Sequence, residues 1–167
     1  MDVGQSKLVM GFKTDVEDIH LMRLLNAMFG GTVSSKLFLN VREKLSLCYY
    51  CASNYIDSKR TMLVDSGVEL ANYETARDEI LAQLEAVRRG EIEDWELEGA
   101  RSTLLNAYAS MGDSQGKLEN FYLGQAATGQ EDTPELLAEQ GIRIARRTVA
   151  KYRTELRLGS AAARKRD

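Results

Sequence analysis

Residues 47–68 read LCYYCASNYIDSKRTMLVDSGV, and this stretch decides the fold. Leu47–Ile56 is rich in Tyr and Cys, a composition that favours a strand. Asp57–Lys59 has the composition of a turn, and Thr61–Val68 predicts a second strand. The stretch therefore predicts an antiparallel hairpin.

Helices and one more strand are predicted around this hairpin. The short apolar segment Ser6–Lys13 predicts a strand. Thr14 or Asp15 is then a candidate N-cap for a helix that ends at Gly30-Gly31. A second helix follows a cap at Ser34-Ser35. Beyond the hairpin, helical spacing predicts three more helices, over residues 73–87, 95–111 and 114–128. This pattern indicates an α+β fold, a two-layer sandwich of an antiparallel sheet and helices.

Composition limits the classes of protein. The chain has 167 residues, 44% of them hydrophobic, which suits one domain with a real core. No apolar run approaches the ~18 residues of a membrane span, so we expect no membrane partner. The N-terminus lacks the pattern of a secretory signal, so a cytoplasmic location is expected.

The charges are distributed asymmetrically. From Arg143 to the end there are nine basic and two acidic residues, a net charge of +7. Residues 1–142 carry 13 basic and 23 acidic residues, a net charge of −10. The basic tail is a candidate for binding a polyanion, and a solvated basic helix with no partner is the alternative.

Metal and thiol chemistry find little support in the sequence. His20 is the single histidine, so a zinc site of several His ligands is excluded within this chain. Asp15, Glu17 and Asp18 precede it, but a helix N-terminus accounts for acidic residues without a metal. Cys48 and Cys51 lie three apart on a predicted strand, which would point them to opposite faces. We therefore expect two packed, reduced thiols and not a redox pair.

Residues 30–50, GGTVSSKLFLNVREKLSLCYY, carry a family resemblance. They resemble the Gly-Gly-x-x-x-Ser-(Arg/Lys)-Leu-Phe-x-x-(Leu/Val)-Arg-Glu-Lys-x-x-Leu-x-Tyr stretch of the insulinase-like (pitrilysin-type) zinc metallopeptidases. The resemblance extends loosely over residues 5–132. It is nearest to the zinc-free second domain of a half-molecule in the bacterial branch of that family.

The resemblance implies a role for two residues. In that family a zinc-free domain supplies an arginine and a tyrosine, seven residues apart, that contact the substrate backbone. Arg42 and Tyr49 have this spacing, and a guanidinium and a phenol can both donate hydrogen bonds to a peptide carbonyl. The alternative is that Arg42 pairs with Glu43 or another acid and that Tyr49 is a core residue of the hairpin. The resemblance implies no zinc in this chain, no hydrolysis on its own, and a partner half that carries the zinc motif.

The tail has a second resemblance. A short helix at Pro134–Gln140 with buried Leu136 and Leu137, a turn at Gly141 and a basic helix predict a helix-turn-helix. Residues 145–154, ARRTVAKYRT, resemble the signature box of sigma-54 transcription factors, within a tail resemblance over 135–166. The resemblance implies promoter DNA and RNA polymerase as partners. The residues it assigns to DNA are Arg146, Arg147, Lys151, Tyr152 and Arg153.

Each of the two family patterns is incomplete at the point where the other begins. We predict a peptidase-like non-catalytic domain over residues 1–132 and a partial helix-turn-helix over residues 133–167. A natural fusion, an assembled reading frame and a chimera all fit this junction. The leading hypothesis is a peptide-binding domain without catalysis, and the alternatives are promoter DNA binding by the tail or an inactive fusion remnant.

Overall fold

The computed structural model describes residues 5–139. The chain divides after Ala100 into two compact units. The elements are β1 (Gln5–Lys13), α1 (Ile19–Asn26) with a π-helical turn at Ala27–Gly31, the π-helical α2 (Leu37–Lys44), β2 (Cys48–Ile56), β3 (Thr61–Glu69), α3 (Tyr73–Arg88), α4 (Asp94–Ala109), α5 (Gln115–Thr128) and a helix that includes residues 134–139. The predicted α+β class is confirmed.

The first unit is a sheet with helices packed against one face. The three strands lie in the order β1-β3-β2, and both pairs are antiparallel. The predicted hairpin is confirmed, with a short 3₁₀ turn at Asp57–Lys59 between its strands. Alternate residues of β3 face the helices, and Val64, Ser66 and Val68 are fully buried there. This is the sheet face on which the core of the first unit forms.

Side chains from the first two helices fill that core. Phe29, Leu37 and Val41 have no exposed surface, and α3 adds Ala76 and Ile80. Each large side chain buried in this way contributes about 1.5–3 kcal/mol to folding. The spacing of these residues along α2 and α3 is the helical periodicity that the sequence predicts.

Two local predictions are wrong. Asp18 caps α1, not Thr14 or Asp15, and its carboxylate accepts a 3.0 Å hydrogen bond from the Leu21 N–H. Leu136 is 40% exposed, whereas its neighbour Leu137 is buried as predicted.

The second unit begins at Arg101 and contains most of α4, then α5 and the helical residues 134–139. Gly129 ends α5 with a φ of +68°, a left-handed value that glycine adopts without strain. Thr133 caps the last helix by accepting a hydrogen bond from the Leu136 N–H at 3.2 Å. None of the helices within residues 5–139 is long and apolar enough to cross a bilayer.

Candidate functional site

A β-bulge at the start of β2 shapes the candidate site. Cys48 lies opposite Val68 on β3 and Tyr50 lies opposite Gly67, so Tyr49 is an extra residue with no partner of its own. A Cβ on Gly67 would lie 2.6 Å from the ring of Tyr50, so only glycine lets this ring pack so closely over β3. Bulges of this kind redirect side chains next to functional sites.

The bulge reverses the alternation of side chains along β2. Cys51, Ser53 and Tyr55 are buried, so an unbroken strand would also bury Tyr49. Tyr49 is instead 51% exposed, which excludes a core role for it. Cys48 moves onto the inner face with Cys51. The prediction that the two thiols point to opposite faces is therefore wrong. The extra residue shifts Cys48 by one position and so moves it to the face on which Cys51 lies.

Arg42 is held beside the bulge by backbone geometry. It lies near the end of α2, and Ser46 turns the chain with a left-handed φ of +50°. The Arg42 Nε–H then donates a 2.9 Å hydrogen bond to the backbone carbonyl of Tyr49. The guanidinium carbon lies 4.7 Å from the centre of the Phe38 ring, a cation–π contact that fixes the plane of the group.

The alternative of an ion pair between Arg42 and Glu43 is also partly correct. Arg42 Nη1 lies 3.1 Å from Glu43 Oε1, but both side chains are well exposed, at 38% and 53%. An exposed pair of this kind is worth about 0.2–1 kcal/mol. It therefore leaves Arg42 free to exchange this partner for a ligand.

Arg42 and Tyr49 open onto one cleft. Its volume is about 440 Å³, and it is lined by Arg42, Glu43, Ser46, Leu47, Cys48, Tyr49, Glu69 and Asn72. The phenol of Tyr49 donates a 2.9 Å hydrogen bond to Oε1 of Glu69, which also lines the cleft. Glu69, at the end of β3, thus fixes the phenol at one side of the cleft.

The thiol of Cys48 is electrostatically unusual. Its pKa is lowered from an ordinary 9.0 to about 7, chiefly by a hydrogen bond from the Cys51 thiol. Burial opposes this shift, while the Ser66 hydroxyl and the charge of Arg42 favour it. The pKa of Cys51 is raised far above its ordinary value by the same hydrogen bond and by burial. Cys48 is therefore the thiol of the pair that ionises first as the pH rises.

The cleft offers hydrogen-bond donors and not a metal centre. Within residues 5–139, no group of three His, Cys, Asp or Glu side chains is arranged to hold a metal ion. A guanidinium has five N–H donors, and the bonds of Arg42 to Tyr49 and Glu43 leave others for a ligand. The arrangement suits recognition of a carbonyl or carboxylate oxygen.

Sequence reasoning and structure meet at two residues. The predicted pair Arg42 and Tyr49 lies together at the cleft. Glu69 and Ser46 carry no signal in the sequence that marks them as cleft residues. The five predicted DNA-binding residues lie outside the described part of the chain, as does Gly141. These five residues are Arg146, Arg147, Lys151, Tyr152 and Arg153.

Comparison with protein families gives two matches. The profile of the family "Peptidase M16 inactive domain" matches residues 1–104. The profile "Sigma-54, DNA binding domain" matches residues 125–166. The two matches do not overlap, and the first covers more than half of the chain.

Curated relatives agree with the first match. The "probable inactive metalloprotease YmfF" of Bacillus subtilis (strain 168) is 35% identical over 134 residues, which is 78% of this chain and 32% of that protein. An "uncharacterized zinc protease" of Rickettsia bellii is 31% identical over 150 residues, 83% of this chain and 35% of that protein. The chain therefore spans about a third of the length of these relatives.

Solved structures agree with the fold. A conserved protein from Enterococcus faecalis V583 has a TM-score of 0.71 and 36% identity, over 85% of this chain and 34% of that one. The "inactive peptidase domain" of a protein from Bordetella parapertussis has a TM-score of 0.69 over 83% of this chain and 78% of its own, but 17% identity. The second likeness concerns the fold alone.

Proposed function

Because this chain belongs to the Peptidase M16 inactive-domain family, we propose that it binds extended peptides in the cleft beside Arg42 and Tyr49 without cleaving them. The observation that carries the proposal is the bulge, which turns Tyr49 out of the core and into the cleft that Arg42 also lines. The guanidinium then donates hydrogen bonds to a peptide carbonyl, and the phenol does so when the carbonyl replaces the Glu69 carboxylate as its acceptor.

Cleavage requires a second polypeptide segment in this proposal. The described residues supply no metal-binding group, so no hydrolytic step is assigned to them. A zinc-bearing peptidase half would supply the attacking water, and this domain would hold the substrate. The name "zinc protease" of the Rickettsia bellii relative, about three times as long as the matched segment, supports such a division of labour.

Peptide binding is testable with matched variants. A fluorescent peptide library is titrated with the chain, and binding is followed by fluorescence anisotropy. Arg42→Ala should weaken binding roughly 10- to 150-fold, because a hydrogen bond to a charged group is worth about 1.5–3 kcal/mol. Tyr49→Phe removes only the hydroxyl and should weaken binding about 2- to 12-fold.

Two residues of the same unit serve as controls. Tyr50 donates its hydroxyl to Asp65 at 2.9 Å, much as Tyr49 donates to Glu69, so Tyr50→Phe removes an equivalent bond away from the cleft. Arg77 pairs with its neighbour Asp78 as Arg42 pairs with Glu43, so Arg77→Ala is the matched arginine control. Equal losses in the control and cleft variants would contradict the proposal. Chelator-sensitive hydrolysis by the isolated chain would contradict the absence of catalysis.

A specific observation also favours a second function. The match of residues 125–166 to the sigma-54 DNA-binding domain supports a proposal that the tail binds promoter DNA. The residues proposed for base and phosphate contacts are Arg146, Arg147, Lys151, Tyr152 and Arg153. The net charge of −10 on residues 1–142 repels phosphates, so we expect weak binding by the whole chain.

Anisotropy with a sigma-54-type promoter duplex and a scrambled duplex tests the second function. The full chain is compared with a chain that stops at Asp132, at low and at physiological salt. Selective, salt-sensitive binding that is lost on truncation and on Arg147→Ala is expected. Equal affinity for the two duplexes would refute it.

A further inference from the structure

Helix α5 carries a largely apolar stripe on one exposed face. Glu119, Tyr122, Leu123 and Ala126 follow one another at helical spacing, and all four are exposed. The exposed fractions of Tyr122 and Leu123 are 47% and 60%. The ring of Tyr122 stands edge-on to that of Phe121, with the centroids 5.3 Å apart, and this contact restrains it. A restrained aromatic ring on an exposed apolar face is typical of a docking surface.

The chain that continues beyond Glu139 is long enough to cover this stripe. The loop after α5 folds back onto the helix, because Gln125 accepts hydrogen bonds from the N–H groups of Gln130 at 2.9 Å and Asp132 at 3.3 Å. Residues 140–167, which we call the C-terminal segment, follow the next helix. Even as a continuous helix this segment would span about 42 Å, twice the roughly 21 Å of α5.

Charge complementarity favours the C-terminal segment as the occupant of the stripe. Residues 101–139 contain six acidic and two basic residues, a net charge of −4. The C-terminal segment contains nine basic and two acidic residues, a net charge of +7. Glu119 on α5, Glu131 after it and Glu135 on the next helix are all exposed. Opposite charges of this size attract the C-terminal segment toward α5.

The C-terminal segment also has apolar residues to pair with the stripe. Val149, Tyr152 and Leu156 are spaced as on one face of a helix. A second copy of α5 is a poorer occupant, because the same acidic residues would face each other. A stripe of four residues is also much smaller than the ~800 Å² per partner of a standard interface. A contact within one chain needs less area, since the effective concentration of a linked segment is high.

We propose that the C-terminal segment docks on the stripe of α5, and that promoter DNA competes with α5 for the segment. The docking is independent of the proposed functions. The competition rests on the proposed DNA binding, because the residues proposed for DNA belong to the same segment. The contact is therefore autoinhibitory, since DNA binds only the fraction of chains in which the segment is undocked.

Hydrogen exchange of the full chain, followed by mass spectrometry, tests the docking. Amides of the C-terminal segment should exchange at least 10-fold more slowly than those of a free peptide with the same sequence. Leu123→Ser should reduce this protection about 5- to 20-fold, because the exposed part of the leucine side chain is no longer buried on docking. Leu81→Ser is the matched control, since Leu81 is a 38% exposed leucine of α3, and it should change nothing in the segment.

A charge variant keeps the docking test valid if Leu123→Ser unfolds α5, which faster exchange within residues 115–128 would reveal. Glu119→Lys reverses an exposed charge and should also speed exchange of the C-terminal segment. No protection in the wild type, or equal effects of Leu123→Ser and Leu81→Ser with α5 folded, would overturn the docking. An unchanged segment in Glu119→Lys would overturn the role of charge. Protection that grows with protein concentration would assign the stripe to the segment of a second copy and overturn the contact within one chain.

Affinity for the sigma-54-type duplex tests the competition. Leu123→Ser should bind the duplex about 5- to 20-fold more tightly than the wild type, because more of its C-terminal segment is undocked. Leu81→Ser should bind as the wild type does. Equal affinities in spite of a released segment would overturn the competition. If no variant binds the duplex while Leu123→Ser speeds exchange as expected, the proposed DNA binding fails with the competition and the docking stands.

Discussion

Replacing Lys36 by Met should destabilise the protein more than most single substitutions do. Lys36 Nζ lies 2.9 Å from Glu96 Oε1, and the two side chains are only 10% and 5% exposed. The other carboxylate oxygen of Glu96 accepts a 2.8 Å hydrogen bond from the Glu93 N–H at the start of α4. This buried ion pair therefore connects the start of α2 with the start of α4.

The magnitude follows from what remains after the change. Without Lys36, the Glu96 carboxylate keeps one N–H donor and loses its counter-charge in a buried position. Breaking a buried ion pair from one side costs about 3–5 kcal/mol. In a chain of this size, that loss lowers the melting temperature by roughly 6–20 °C. The variant Lys36→Met/Glu96→Gln buries no charge and keeps an oxygen for the Glu93 N–H, so it should recover most of the loss.

Urea unfolding followed by far-ultraviolet circular dichroism measures these differences. Arg88→Met is the control, because Arg88 and Glu85 form a pair that is 71% and 49% exposed. It should cost less than about 1 kcal/mol. A loss below about 1 kcal/mol for Lys36→Met, or a double variant no more stable than the single one, would refute the reasoning.

Further predictions concern two glycines and one tyrosine. Gly30→Ala would place a Cβ 2.7 Å from the backbone nitrogen of Ser53, so we expect a loss of about 1–3 kcal/mol or more in urea unfolding. Gly124→Ala meets nothing within 4 Å on a helix and should leave stability unchanged or raise it by up to about 1 kcal/mol; a loss there would contradict the packing argument. The pKa of Tyr50 is raised, first by its hydrogen bond to Asp65. A raised pKa means that folding loses stability as pH rises above about 10, so Tyr50→Phe should flatten the decline in urea midpoint between pH 9 and 11. An equal decline in both proteins would contradict this.

The hairpin illustrates where sequence reasoning succeeds and where it stops. Tyr- and Cys-rich residues before Asp57 and apolar residues after Lys59 suffice to predict two paired strands. The same composition gives no sign of the bulge, because a bulge arises from the register that two strands reach when both bury their inner face. The positions of Tyr49 and Cys48 therefore could not be predicted.

The start of α1 shows the same limit on a smaller scale. Residues 14–18 include four polar residues, and three of them, Thr14, Asp15 and Asp18, have side chains able to cap a helix. Only Asp18 does so, because the strand β1 extends to Lys13 and residues 14–17 are needed to turn the chain. Local propensity identifies the group of candidates, and the packing of the helix against the sheet selects one.

The sequence by itself determines the α+β class and the order of strands and helices, because periodicity is a property of neighbouring residues. Arg42 and Tyr49 are candidates through the resemblance of residues 30–50 to a known family. The tertiary structure decides which side chains meet. The bulge exposes Tyr49 and places Cys48 beside Cys51, and β3 brings Glu69 to the phenol. These contacts join residues that are distant in sequence or shifted by one position in register, and a shift of one residue reverses the face on which a strand side chain lies.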